Sequence, residues 1–430
     1  MTPAARVAAA IEVFALIQSQ RRPAADALTD WGRAHRFAGS KDRAAISALV
    51  YDALRRRASS AFLIREETPR AVVLGSLRQA GGLGAEAVAA LCTGEGFAPA
   101  PLSDGERRRL ETATLDAAPP HVAGDFPEWM SPHLQAAFGD ALLAEARALA
   151  ERAPVDLRVN ALKTTRDAAL RSLAPLGAKP TPLSPLGLRI AARPDGRAPA
   201  LGGERAFIKG EVELQDEGSQ LAALLAAAKP GEQVLDLCAG AGGKTLALSA
   251  QMENRGQIYA TDADGRRLAP LFKRLDRAGA RNVQIRTPRP GLDPVADLAG
   301  RCHLVLVDAP CTGAGTWRRN PDSKWRIRPG ALKQRVRDQD VILDRAAPFV
   351  KPGGRLLYIT CSVLREEGEE RVAAFLAAHP RFAPMPVADM CAAAGLALTH
   401  LASPHGPGLR LSPARSNTDG FYVCALRHAG

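Results

Sequence analysis

Three residues of this 430-residue chain combine a reactive side chain with a suggestive setting: Asp308, Cys311 and Cys361. The first two lie in LVLVDAPCTGAGTW (304–317), the third in RLLYITCS (355–362). Each stretch opens as an apolar run of strand length and then breaks into small, polar and glycine residues. Such runs suit parallel strands buried on both faces. Ligands of open α/β sheets sit in the crevice outside the carboxyl ends of those strands. A carboxylate and two thiols are therefore expected to meet in one crevice. An ionised thiol is a strong nucleophile, and a carboxylate stabilises developing positive charge. Spacing alone does not rank the two cysteines.

The elements that must carry these residues form a regular series. Strand-like runs at 234–238, 257–261, 283–286, 304–308, 356–361 and 421–426 alternate with helical patterns at 245–251, 266–278, 331–349 and 366–378. This alternation predicts a doubly wound, Rossmann-like parallel sheet over residues 216–430. Ahead of it, VDLRVN (155–160), a helix over 166–176, a strand over 187–192 ending before Pro194, and FIKGEVELQDEGSQ (207–220) describe a small α+β module. With a preceding helix over 134–150 it occupies 126–215. Residues 1–125 read as helical: Val7, Ile11, Phe14 and Ile17 share one face, and Ser103 with Glu106 forms a capping box. The proline-rich stretch 117–132 reads as a linker.

The first strand of the series runs into DLCAGAGGKT (236–245). Glycines at a strand-to-helix turn let a ligand approach the backbone. It is no P-loop, because Cys238 stands where that motif needs glycine, and no GxGxxG fingerprint, because Thr245 fills the third glycine position. What remains is a nucleoside-type site, with Asp262 at the next strand end positioned for ribose hydroxyls.

A net charge of +12 points to a polyanionic partner. After Cys311 the chain adds Trp317, Arg318, Arg319, Lys324, Trp325, Arg326 and Arg328, a mixture suited to phosphate contact and base stacking. We expect Arg318, Arg319, Lys324 and Arg326 to bind RNA. The seven cysteines form no CxxC pair and no metal-ligand pattern, so no metal is expected. Cys92, Cys302, Cys391 and Cys424 read as small buried hydrophobes. The odd count without a secretory signal suggests a reducing, cytoplasmic setting, and no apolar run is long enough to span a bilayer. Sequence says little of oligomeric state; a monomer is the simplest expectation.

DLCAGAGGKT, LVDAPCTGAGTWRRNPDSKW and YITCSVLREEGEE, flanked by FIKGEVELQDEGSQ and TDGFYVCAL, resemble the motifs of the RsmB/Sun/NSUN family of RNA cytosine-C5 methyltransferases. The resemblance covers about 125–430, and KDRAAISALVYDALRRR (41–57) is similar to the NusB-like helical domain of the RsmB branch. It implies S-adenosylmethionine as cofactor and RNA, foremost small-subunit ribosomal RNA, as substrate. Cofactor contacts would fall on Cys238, Ala239, Gly240, Ala241, Gly242, Gly243, Lys244, Asp262 and Asp308. The family's aspartate after the third strand is replaced by Thr287. DNA cytosine methyltransferases use the cysteine after the proline (here Cys311), whereas the RNA family uses the TC cysteine. The resemblance thus makes Cys361 the nucleophile, Cys311 the residue of product release and Asp308 the partner of the ring. Alternatives are a transfer RNA cytosine methyltransferase and a non-catalytic ribosome-assembly factor.

Overall fold

In the strand Cys302–Asp308, Leu304 and Leu306 pack into one apolar layer while Val305 and Val307 pack into another, and all four are fully buried. This two-sided burial explains why the run is continuously apolar rather than alternating. The computed structural model describes residues 1–193, 196 and 199–430. Its strands are β1 (Val155–Val159), β2 (Lys179–Pro180), β3 (Gly187–Ile190), β4 (Val212–Leu214), β5 (Gln233–Asp236) and β6 (Gln257–Ala260). They continue as β7 (Val283–Ile285), β8 (Cys302–Asp308), β9 (Val350–Thr360), β10 (Phe382–Pro384), β11 (Leu409–Leu411) and β12 (Phe421–His428).

The large sheet has the order β10-β12-β9-β8-β5-β6-β7, with β11 paired to β12. From β7 to β9 all pairings are parallel, whereas β12 enters antiparallel to β9 and also pairs antiparallel with β10 and β11. The sheet is therefore mixed, where the β-α alternation had predicted a parallel one. Helices Glu217–Leu224, Gly243–Gln251 and Val387–Ala394 cover one face through Leu221, Leu248 and Met390. Helices Pro329–Ala346 and Glu369–Ala378 cover the other through Leu343, Val372 and Phe375. The strand order reverses between β5 and β8, which puts the crevice between their carboxyl ends.

The small module is an antiparallel sheet, β2-β3-β1-β4, with helix Arg166–Leu173 on one side. VDLRVN alternates, but its polar face is also buried. Leu157 and Val159 fill the module core, while Asp156 and Arg158 turn toward the methyltransferase sheet. Asp156 takes a two-pronged bond from Arg189 at 2.6 and 2.8 Å and one from the Glu217 amide at 3.0 Å. Burying such charges is tolerable only with this degree of pairing. Pro194, beyond β3, lies outside the described residues.

Contacts divide the chain into two units. One comprises Pro154–Ala191, Pro199–Thr316 and Arg328–Gly430, the other Met1–Ala153, Trp317–Ile327 and a short stretch around Gly196. In the latter, helices Pro3–Gln20, Ser40–Arg55 and Pro69–Gly81 bury Val13, Phe14, Ile46, Val50 and Leu74 in a common core. The capping box at Ser103 and Glu106 starts helix Asp104–Thr112. The expected linker over 117–132 is instead packed structure. Phe126 and Met130 are buried, and the Asp125 carboxylate accepts from the Ser59 amide at 2.9 Å and hydroxyl at 2.6 Å. Proline there starts short helices rather than excluding them. Among the described residues, no helix is long and apolar enough to cross a membrane.

Candidate active site

β8 and β9 run parallel with Asp308 beside Ile359, so both strands deliver their last residues to the same end of the sheet. The Ala309 amide still bonds Ile359 O at 2.9 Å; Pro310, lacking an amide hydrogen, then turns the chain away. Cys311 and Cys361 thereby bring their sulfurs to 3.2 Å, and both residues remain partly exposed. The next turn is fixed by backbone contact. The Gly315 amide donates to Cys361 O at 3.0 Å, and Gly420 N donates to Gly315 O at 2.8 Å. A Cβ on Gly315 would sit 2.1 Å from Gly420 O, so only glycine fits. The thiol of Cys311 is pushed well above its ordinary pKa by its hydrogen bond with Cys361 and by burial, with the nearby Glu367 adding to both.

Asp308 meets the glycine loop directly. Lys244, in the first turn of helix Gly243–Gln251, holds its ammonium 2.6 Å from the Asp308 carboxylate. Gly240 and Gly242 have φ of 51° and 83°, and a Cβ on Gly242 would lie 2.1 Å from Leu271 Cδ1. The Asp262 carboxylate, at the end of β6, accepts from Gly240 N at 2.9 Å and pairs with Arg267 at 3.1 Å. Cys238–Lys244 thus make a strand-to-helix turn with Asp262 beside it, and these residues fit a nucleoside cofactor. Asp236 lies beneath, fully buried and bonded by Thr245 Oγ1 at 2.7 Å; burial pushes its carboxyl pKa up to about 7. Cys238 is held as a thiol, since burial and the surrounding carboxylates push its pKa up. Thr287 packs against the Gly265 turn that follows β6: a Cβ added to Gly265 would come within 3.1 Å of its methyl.

The basic segment corrects an expectation. Arg318 and Lys324 do not reach outward to RNA; they are 3% and 1% exposed, within the amino-terminal unit. Lys324 donates to Arg55 O at 2.9 Å, Arg55 donates to Arg318 O at 2.7 Å, and Trp325 Nε1 donates to Leu54 O at 2.7 Å. Burial lowers the Lys324 pKa to about 7 and the Arg55 pKa to about 10. Lys324 and Trp325 thereby satisfy the end of helix Ser40–Arg55, whose last carbonyls need donors. Arg319 is half-buried; Arg326 is exposed and pairs with Asp322 at 3.0 Å.

Sequence reasoning also missed residues. Glu367, fully buried, accepts from the Thr312 amide at 2.7 Å, the Thr312 hydroxyl and Gln339 Nε2 at 3.1 Å. Arg158 and Arg274 donate to the carbonyls of Gly243 and Ala241 at 2.7 and 2.6 Å and so brace the glycine loop. The alternation of VDLRVN is a signal that could have found Arg158. Glu367 stands in a run of four glutamates that reads as a solvated helix start.

A sheet of this order with a glycine loop after β5 defines a methyltransferase of the S-adenosylmethionine-dependent class, and S-adenosylmethionine is its cofactor. Residues 223–427 match the 16S rRNA methyltransferase RsmB/F family, and residues 126–195 match the ferredoxin-like domain of RsmF/B-like methyltransferases. A probable ribosomal RNA small subunit methyltransferase B from Synechocystis sp. is 32% identical over 317 residues, 71% of this chain and 67% of that protein. The ribosomal RNA small subunit methyltransferase B of Sodalis glossinidius is 34% identical over 332 residues, 76% and 69% of the two chains. The crystal structure of PH0851 superposes with a TM-score of 0.74 at 26% identity, covering 99% of each chain. The chain belongs to the RsmB/F methyltransferase family.

Proposed function

We propose that this protein makes 5-methylcytosine in small-subunit ribosomal RNA through a covalent adduct between Cys361 and the target base. One observation carries the reading: two thiols 3.2 Å apart at neighbouring strand ends, beside a carboxylate paired with the lysine of the cofactor loop. The ribosomal substrate is drawn from the relatives, and a cytoplasmic setting accords with seven cysteines that are all free.

Carbon 5 of cytosine is too weak a nucleophile to be methylated unaided. Addition of the Cys361 thiolate to carbon 6 moves electron density onto carbon 5. Asp308, as a carboxylate balanced by Lys244, faces ring nitrogen 3 and stabilises its protonated form. S-adenosylmethionine, when bound, supplies a methyl group on a positively charged sulfur. A base then takes the carbon-5 proton, the carbon 6–sulfur bond breaks, and Cys361 leaves as thiolate. Cys311, kept protonated by its surroundings, donates its S–H to that departing sulfur. Of the basic segment, Arg319 and the exposed Arg326 remain as phosphate contacts.

Wild type, Cys311→Ala and Cys361→Ala, incubated with S-adenosylmethionine and ribosomal RNA, test the scheme on denaturing gels. Cys311→Ala is expected to accumulate a protein–RNA adduct, and Cys361→Ala to form none and transfer no methyl. The reverse pattern would make Cys311 the nucleophile. Inactivity of all three, with intact folding, would point to an assembly factor.

A further inference from the structure

We propose that Glu367 is the positioning residue that holds the Pro310–Thr312 turn, and so keeps the Cys311 thiol in place for release of the methylated base. The inference rests on the reading of Cys361 as nucleophile and Cys311 as the release residue.

The carboxylate ties down both ends of the turn that carries Cys311. On one side it accepts from the amide and hydroxyl of Thr312. On the other it accepts from Gln339 Nε2, which also donates to Pro310 O at 3.0 Å. Its own backbone carbonyl accepts from Tyr358 Oη at 2.9 Å, on β9 just ahead of Cys361. One residue is therefore bonded to the turn of one cysteine and the strand of the other. Gln339 and Tyr358 are themselves fully buried, so the clamp has little freedom to relax.

The chemistry of the site argues for more than packing. Burying a carboxylate costs several kcal/mol even when it is hydrogen-bonded. No ion pair to Glu367 is found among the described residues, and its partners there are all neutral donors. An apolar residue would fill the volume at lower cost, but it would free the amide and hydroxyl of Thr312 and leave Gln339 bonded to Pro310 O alone, so the Thr312 side of the turn would lose its anchor. A shift of about 1 Å in the Cys311 sulfur would break a 3.2 Å contact.

Two substitutions separate positioning from folding. Glu367→Gln keeps the shape: its carbonyl can serve Thr312 N and Gln339, while its amide faces a hydroxyl able to turn and accept. Thr312→Val removes the hydroxyl arm of the clamp from the turn side, keeps the amide bond and leaves Glu367 itself in place with one donor fewer. Each is compared with wild type and Cys311→Ala in single-turnover methyl transfer, steady-state turnover and adduct accumulation, with melting recorded alongside. Glu367→Gln should lower steady-state turnover roughly tenfold, hold single-turnover methylation within about twofold, and accumulate adduct as Cys311→Ala does. Thr312→Val should do the same to a smaller degree, and it decides the matter if Glu367→Gln fails to fold. Equal loss of single-turnover and steady-state rates, or no adduct in variants that fold while Cys311→Ala accumulates it, overturns the positioning role. Absence of adduct in Cys311→Ala itself overturns the underlying reading instead.

Discussion

Two neighbouring stretches, 308–316 and 317–327, look equally functional in sequence and are used in opposite ways. The first leaves its reactive groups partly exposed at a strand end and has its backbone pinned by glycine contacts and a buried carboxylate. The second buries Arg318 and Lys324 and turns Lys324 and Trp325 to the carbonyls closing a helix. Residue type alone therefore does not separate a chemical site from a structural one. What separates them is whether the polar atoms are spent on the protein's own backbone.

The largest expected effect tests the first stretch. Cys361→Ala should lower methyl transfer at least about 1,000-fold while melting stays within about 2 °C of wild type. Lys324→Ala should do the reverse of a surface change, costing roughly 2–4 kcal/mol by urea unfolding through a cavity and an unpaired Arg55 carbonyl. Unchanged stability with weakened RNA binding would return Lys324 to the RNA-contact role.

Two buried groups, Asp236 beneath the glycine loop and Lys324 in the second stretch, should also titrate with opposite sign. Asp236 has a raised pKa in the folded chain, so its contribution is present in acid and is lost as pH rises from the ordinary aspartate value to about 7. Lys324 has a lowered one, so stability is gained as pH rises from about 7 toward the ordinary lysine value. Each slope reaches up to about 1.4 kcal/mol per pH unit. Denaturant titrations from pH 4 to 10 should find the acid limb flattened in Asp236→Asn and the alkaline limb flattened in Lys324→Met. The smallest effect belongs to Arg326→Ala, about 1 kcal/mol in stability, because Arg326 lies at the surface and its buried partner Asp322 keeps a bond from the Ala24 amide. If Arg326 meets a phosphate, the slope of log affinity against log salt should fall by about one.

Much of this was legible in the chain. Two-sided apolar runs marked β8 and β9, their breakpoints marked Asp308, Cys311 and Cys361, and the failure of two rival glycine motifs narrowed the loop to a nucleoside site. The sulfur separation was not legible, because it depends on strand register and on Gly315 meeting Gly420, more than a hundred residues away. Glu367 was hidden because, in this cluster of glutamates, Glu367 and Glu369 are buried while Glu370 is exposed, and the partners that distinguish them lie on other elements. RRNPDSKWR misled for a related reason: an arginine or lysine bonded to a backbone carbonyl leaves no trace in sequence, since every residue offers the same carbonyl.

The assignment of Trp317–Ile327 to the amino-terminal unit also orders events during synthesis. A ribosome that has finished Ala153 has made every helix of that unit up to that point, yet not the peptide whose Lys324 and Trp325 cap the carbonyls of Arg55 and Leu54. At ordinary elongation rates that peptide emerges on the order of ten seconds later. Until then the nascent unit carries an open seam, and a chaperone or stalled partner has its widest opportunity there.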